Sequence, residues 1–254
     1  MLASLLPAEI FGYMLVFSRI GATMVVLPGF GETYVSPRIR LALALTITAV
    51  LTPALAARLP AIPAAPAALV LLVSGEILIG FFIGSVARVL LSALATGGAM
   101  LAFLSGFANA LLFNPMLSDQ GALPAVFLSV LGLLLIFVTD THHLMLMALS
   151  DGYNLFAPGV LPAFGDFADT LARLLADSFR IGLQIAMPFL LFGIVFYTGM
   201  GLLARLMPQM PIFFVALPAQ ILLGLFIMMV SFPAALLWFL NYYQTSFSRV
   251  LLPG

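Results

Sequence analysis

The chain has 254 residues, 64% of them hydrophobic and 7% charged. Soluble domains are nearer half apolar and a quarter charged, so these proportions describe a polytopic membrane-type protein. Nine arginines balance nine acids, which leaves no basic footprint for nucleic acid; the lack of lysine excludes Schiff-base and P-loop chemistry, and the lack of cysteine excludes disulfides, thiolate metal sites and a cysteine nucleophile.

The N-terminal "MLASLLPAEIF" carries Glu9 and no basic region, so it does not read as a cleaved signal peptide. A bilayer-spanning helix takes about 20 mostly apolar residues. Runs of that kind lie at 10–27, 39–57, 67–95, 122–150, 179–203 and 211–240, with a weaker stretch at 99–113. They are continuous, unlike the alternating strands of a membrane barrel.

The first run stops at Leu27 and gives way to "LPGFGETYVSPRIRLAL". Ser36 is a good N-cap and Pro37 suits the first helical position, so a helix should begin there. Arg38 and Arg40 then fall in its first turn, against the helix dipole. They call for an anionic partner (Glu32 in the loop, lipid headgroups or a second protein) or form simply a positively charged interfacial loop. After the linker "RLPAIPAAPAA" (58–68), the stretch "EILIGFFIGSVAR" spaces Glu76, Gly80, Gly84 and Arg88 four residues apart, on one ridge of a helix. The glycines fit close helix packing. The two charges, in apolar surroundings, fit an ion pair within or between chains, or a proton relay.

"SGFANALLFNPML" interrupts the pattern with Gly106, Asn109, Asn114 and Pro115, and leaves Phe107, Leu111, Leu112, Phe113 and Met116 on an irregular segment within the linker 105–124. Bulky apolar residues there fit a constriction that gates by dewetting, or a re-entrant loop packed into the protein. Run 122–150 would be about 44 Å long as one helix, too long for a core of about 30 Å. It contains "DTHH", in which Asp140 and His143 share a helical face. No third or fourth ligand follows at a recognisable spacing, so no metal site is expected. Hydrolase motifs are missing and no enzyme is expected. The acidic stretch 150–170 reads as a linker, and Pro53, Pro188, Pro218 and Pro233 predict kinks. The tripeptide Arg-Ile-Gly at 19–21 and 180–182 reads as chance in so biased a composition. Arginine bias between loops is a tie and sets no orientation.

In their order, "SRIGATMVVLPGFGETYVSPRIRLALAL", "SGFANALLFNP", "DTHHLMLMAL", "FAPG" and "AMPFLLFGIVFYTGMGLLARLMPQMPIFFVALPAQILLGLF" resemble the FliR family. This is the R-type component of the flagellar type III export gate, with counterparts in virulence injectisomes. The first segment is similar to the family's arginine-bearing first helix, Pro-Gly turn and second helix. The last is similar to its C-terminal hairpin, with Pro208-Gln209 at the tip, while Asn114-Pro115 stands where the family has Asp-Pro.

The resemblance implies an all-α, multi-pass protein of kinked helical hairpins, a single helical unit over 1–254. Within it, 1–168 resembles the P-type export-gate fold and 169–254 the Q-type hairpin. It further implies a non-enzymatic gate subunit without cofactor, in the bacterial inner membrane within the flagellar basal body. Its partners would be P-type and Q-type subunits, an FlhB-type subunit, unfolded export substrates and membrane lipid. On that reading Phe107, Leu112, Phe113, Asn114, Pro115 and Met116 are plug candidates. Arg19, Arg38, Arg40, Glu76, Arg88 and Asp140 are ion-pair or intersubunit candidates, and Gly80 and Gly84 pack helices. Two other readings are a small-solute secondary transporter with Glu76, Arg88 and Asp140 as midplane charges, and, more weakly, an intramembrane enzyme using Asp140 and His143.

Overall fold

A computed structural model of the protein describes residues 2–107, 123–160, 164–209 and 212–252. Among them are seven α-helices and no strand: α1 (Leu2–Val26), α2 (Pro37–Leu55), α3 (Pro66–Leu104), α4 (Leu123–Val138), α5 (His142–Leu155), α6 (Phe164–Leu206) and α7 (Ile212–Leu251), with a single 3-10 turn at Ala56–Arg58. The all-α, multi-pass architecture is thus present. Among the described residues, five helices are long and apolar enough to cross a membrane, and a sixth span arises if α4 and α5 count as one.

Local chemistry explains the helix ends. At the close of α1, the Leu27 N–H donates to the Thr23 carbonyl at 2.9 Å, and Gly31 N–H reaches back to the Leu27 carbonyl at 2.8 Å. Gly29 has φ 84°, where a side chain is strained, and a Cβ at Gly31 would run into the Val25 carbonyl. Both glycines of "PGFG" are therefore required by the turn. At the start of α2, the Ser36 hydroxyl accepts from the Ile39 N–H at 3.4 Å and Pro37 occupies the first turn. Hydroxyls of Thr46, Thr48 and Thr52 return to carbonyls four residues back at 2.8, 2.7 and 2.7 Å, so α2 carries them without unsatisfied groups.

Three boundaries differ from expectation. Runs 67–95 and 99–113 join, as far as the structure describes them, into one 39-residue α3, which continues through Gly97 and Gly98. A Cβ at Gly97 would press on the Gly182 carbonyl of α6 at 3.0 Å, and one at Gly98 would overlap the Pro124 carbonyl of α4 at 2.8 Å. Close packing here outweighs glycine's poor helix propensity. Run 122–150 is instead broken into α4 and α5 at Asp140, which has φ 56°. The linker 150–170 shrinks from both sides, because α5 continues to Leu155 and α6 begins at Phe164 with Asp166 in its favourable first turn. Helices α2, α6 and α7 run on through Pro53, Pro188, Pro218 and Pro233.

The chain forms two compact units interleaved along the sequence. One takes residues 1–90, 139–174 and 244–254; the other takes 91–138 and 175–243. In the first, Val16, Ile20 and Met24 lie four apart on α1 and pack with Ala44 and Leu55 of α2 and Leu149 and Tyr153 of α5. In the second, a Cβ at Gly182 would meet the Ala93 carbonyl at 2.8 Å, so small residues let α3 and α6 approach backbone to backbone.

Candidate functional site

Two clusters of polar side chains in the first unit tie its helices together. One is buried. Arg19, on α1, is fully buried and Glu76, on α3, is 2% exposed. Arg19 Nε donates to Glu76 Oε2 at 2.6 Å, and its two terminal nitrogens donate to the carbonyls of Gly152 and Phe156, each at 3.1 Å. The guanidinium lies over the Tyr153 ring, 4.0 Å from the centroid. Glu76 Oε1 accepts the Gly159 N–H at 3.3 Å. Two opposite charges, two helix-end carbonyls and a loop amide thus satisfy one another, as burial in so apolar a setting demands. The cluster binds α1, α3, α5 and the chain at 156–159 together. Beside it Phe82, Phe156 and Phe167 interlock, with Phe82 stacked on Phe167 at 3.9 Å and Phe156 edge-on to both.

Gly80 and Gly84 make this geometry possible. A Cβ at Gly80 would strike the Arg19 carbonyl and Ala22, and one at Gly84 would sit 2.9 Å from Val26 Cβ. Their bareness brings α3 close enough to α1 for Glu76 to reach Arg19.

The second place is the turn 27–36. Arg88 Nη2 meets Glu32 Oε1 at 3.2 Å while its Nε donates to the Val26 carbonyl at 2.8 Å. Arg40 Nε and Nη2 donate to the carbonyls of Phe30 and Glu32 at 3.1 and 3.0 Å. Arg40 therefore holds the turn by its backbone, and Arg88 ties the Glu32 carboxylate to the end of α1. Glu32 turns its carboxylate to Arg88, not to Arg38 or Arg40; Arg40 takes its main-chain oxygen. Arg38 is exposed and makes no ion pair among the described residues. The Tyr34 phenol on this turn is raised above its usual pKa, by partial desolvation first and by the Glu32 carboxylate second.

Glu76 and Arg88 are not brought together. They lie 12 residues apart on α3, about 18 Å along the helix, and each has its own partner. Asp140, His142 and His143 do come together, their ligand-type atoms lying within 4.8 Å of one another at the start of α5. His143 Nδ1 is 3.7 Å from Asp140 Oδ1, longer than a hydrogen bond, and both side chains are exposed. These three offer one carboxylate and two imidazoles to a cation. The two Arg-Ile-Gly triplets serve unrelated ends: Arg19 is buried on Glu76, whereas Arg180 is exposed beside Asp177 at 3.1 Å.

Of the plug candidates, Phe107 is half-buried directly after Gly106, which has φ 79°. Leu112, Phe113, Asn114, Pro115 and Met116 lie outside the described residues. The point where the chain leaves α3 for this segment is held by a residue that sequence reasoning missed. Gln220 of α7 is buried and donates to the Leu104 carbonyl at 2.9 Å and to the Tyr197 hydroxyl at 3.0 Å. The signal was available, since Gln220 is the sole amide between positions 211 and 240. Gly97, Gly98 and Gly182 were missed as well.

Among the described residues, buried polar groups join the helices of this multi-pass protein: Arg19 and Glu76 tie α1 and α3 to the end of α5, and Gln220 ties α7 to the end of α3. Residues 10–246 match the family described as bacterial export proteins, family 1. The flagellar biosynthetic protein FliR of Caulobacter vibrioides is 35% identical over 231 residues, 91% of this chain and 92% of that protein. FliR of Escherichia coli is 26% identical over 85% of this chain and 82% of its own length. The secretion system apparatus protein SsaT of Salmonella typhimurium is 26% identical over 65% of this chain and 64% of its own. The chain belongs to the family of bacterial export proteins that includes FliR.

Proposed function

We propose that the chain is the R-type subunit of a flagellar type III protein export gate, helping to form the channel through which unfolded flagellar proteins leave the cell. The observation that carries this reading is the family match over 10–246 together with full-length similarity to a flagellar FliR. Similarity to SsaT extends the class to secretion apparatus in general; the fuller coverage by the flagellar relative favours the flagellum. P-type, Q-type and FlhB-type subunits are its partners, the inner membrane its location, and residues 1–168 and 169–254 its P-type-like and Q-type-like parts. It carries no cofactor and does no chemistry, and the energy for export comes from elsewhere in the apparatus.

Helix dimensions support an assembly subunit. At about 1.5 Å per residue, the 43 residues of α6 and 40 of α7 extend about 64 and 60 Å, twice a hydrocarbon core of about 30 Å. Only 11% of the apolar window of α7 is buried, against 50% for α1, so α7 has most of its surface left for neighbours. The transporter alternative loses its midplane charges: Glu76 is held by Arg19, Arg88 by Glu32, and Asp140 is exposed.

The test is native mass in mild detergent, for the chain alone and co-expressed with P-type and Q-type subunits. A discrete large complex that forms only on co-expression is expected. A well-behaved monomer or dimer indifferent to those partners would sink the reading.

A further inference from the structure

A groove of about 450 Å³ runs along the first unit between α1, α2 and α3. Its walls include Phe17, Gly21 and Val25, four residues apart on α1, with Leu41 of α2 and Phe81 of α3 facing them, and Arg40 lies at one end. Val25, Leu41 and Phe81 are 48, 50 and 40% exposed, so these large apolar side chains are not covered by the chain itself. From Phe17 to Val25 the groove follows α1 for about 12 Å.

Polarity is graded along that path. The Arg40 end adjoins the turn 27–36, the charged stretch between two apolar helices and hence the part suited to the membrane–water interface. Arg38, Arg40 and Arg88 stand there against Glu32, an excess of positive charge, and the Glu32 carboxylate is already turned to Arg88. Arg40 gives Nε and Nη2 to backbone carbonyls, and a guanidinium has further N–H donors beyond those two. Below it the walls are apolar except for Ser18, whose hydroxyl is turned back to the Met14 carbonyl at 2.8 Å.

Gly21 has a separate significance. Gly80 and Gly84 are demanded by helix contact, but the three atoms nearest a Cβ at Gly21 all belong to the Phe17 ring of its own helix, the closest at an ordinary 3.6 Å. Packing against other helices does not require this glycine. Its effect is to leave the groove open.

We propose that this groove binds one acyl chain of an anionic phospholipid, with the headgroup phosphate against Arg40. An anion followed by an apolar tail is the order in which the groove presents its complement, a cation followed by an apolar shaft. The site is independent of the export-gate reading, since it needs only a membrane around the first unit.

The experiment uses the full chain reconstituted in nanodiscs of equal parts phosphatidylglycerol and phosphatidylcholine, then released into mild detergent for native mass spectrometry. One phosphatidylglycerol should stay with each chain through delipidation, in preference to phosphatidylcholine. Gly21→Leu, which fills the shaft, should lose the retained lipid. Arg40→Gln should abolish the preference for phosphatidylglycerol while some lipid of either kind is kept, so the proposal stays testable if the leucine variant fails to fold. Undiminished retention in a folded Gly21→Leu chain, or equal retention of the two lipids by the parent chain, would overturn it. A photo-crosslinker at position 41 in the co-expressed complex separates lipid from protein as the occupant. A phospholipid adduct supports the site, and a peptide adduct overturns it.

Discussion

Arg19 shows what one charged residue does in a chain with so few. It is fully buried, and every contact described above stops a polar group from facing oil: Glu76 for charge, Gly152 and Phe156 for the remaining N–H groups, Tyr153 for the open face. Removing one partner of such a pair leaves the other charge buried and uncompensated, which costs about 3–5 kcal/mol. Arg19→Ala and Glu76→Ala should each lower unfolding stability in detergent by about that amount. The double variant should lose less than the sum, because no charge is stranded. Additive losses would mean that the two side chains do not act as a pair. Asp140 makes a different demand, through its backbone. With φ 56° it sits in the left-handed region that Asn tolerates and β-branched residues do not. Asp140→Asn should fold as the parent does, whereas Asp140→Val should cost about 1–2 kcal/mol in a thermal scan.

Among the elements, glycines of two kinds occur in helices, and they predict opposite outcomes. Gly80→Ala places a Cβ against the Arg19 carbonyl and Ala22, so α1 and α3 must part. A loss of about 1–3 kcal/mol is expected, as for overpacking generally. Gly199, inside α6, has nothing within 4 Å of a built Cβ, so Gly199→Ala should stabilise by about 0.5–1 kcal/mol. Parallel denaturation curves check both. The same contrast marks what could be read from the chain. Ser36-Pro37 announced the start of α2 because capping is local chemistry. Runs 67–95 and 99–113 read as separate, yet one helix passes through Gly97-Gly98 between them, because the partners Gly182 and Pro124 are remote in sequence and only packing reveals them. The acidic residues at 150–170 looked like a linker for a related reason: Asp166 in a first turn favours a helix, while composition alone suggests a loop.

For the molecule as a whole, the candidate site was legible in its residues but not in its pairings. Arg19, Arg40, Glu76 and Arg88 stand out in any chain with 7% charge, yet which acid meets which base depends on how α1, α2 and α3 lie together. Ridge spacing grouped Glu76 with Arg88, and the fold sends them to different partners. On the export-gate reading, Phe107 begins the plug and Gln220 anchors the segment at Leu104. Phe107→Ala and Gln220→Ala should each raise ion leakage through the reconstituted complex above the parent background, read as bilayer conductance. Background conductance in both would remove the plug from this segment. Arg38 is exposed and without an ion pair among the described residues, and on the same reading it would meet an acid on a neighbouring chain. Arg38→Glu should therefore weaken co-purification with the partner subunits, and unchanged co-purification would place the contact elsewhere.

Helix α7 has one more consequence, for how a membrane locates this chain. Between Arg205 and Arg249 the sequence contains no charged residue, about 65 Å of chain if it were wholly helical. A bilayer about 30 Å thick finds an oil-compatible surface over the apolar part of α7, residues 212–240, about 44 Å of helix, and the polar "NYYQTSFSR" at 241–249 marks where water should begin at its far end. Lipid therefore marks one end of α7 and leaves the other without a charged boundary until Arg205. What fixes α7 within the chain is lateral: Gln220 grips the end of α3 at the Leu104 carbonyl, and on the export-gate reading neighbouring subunits would add to that hold.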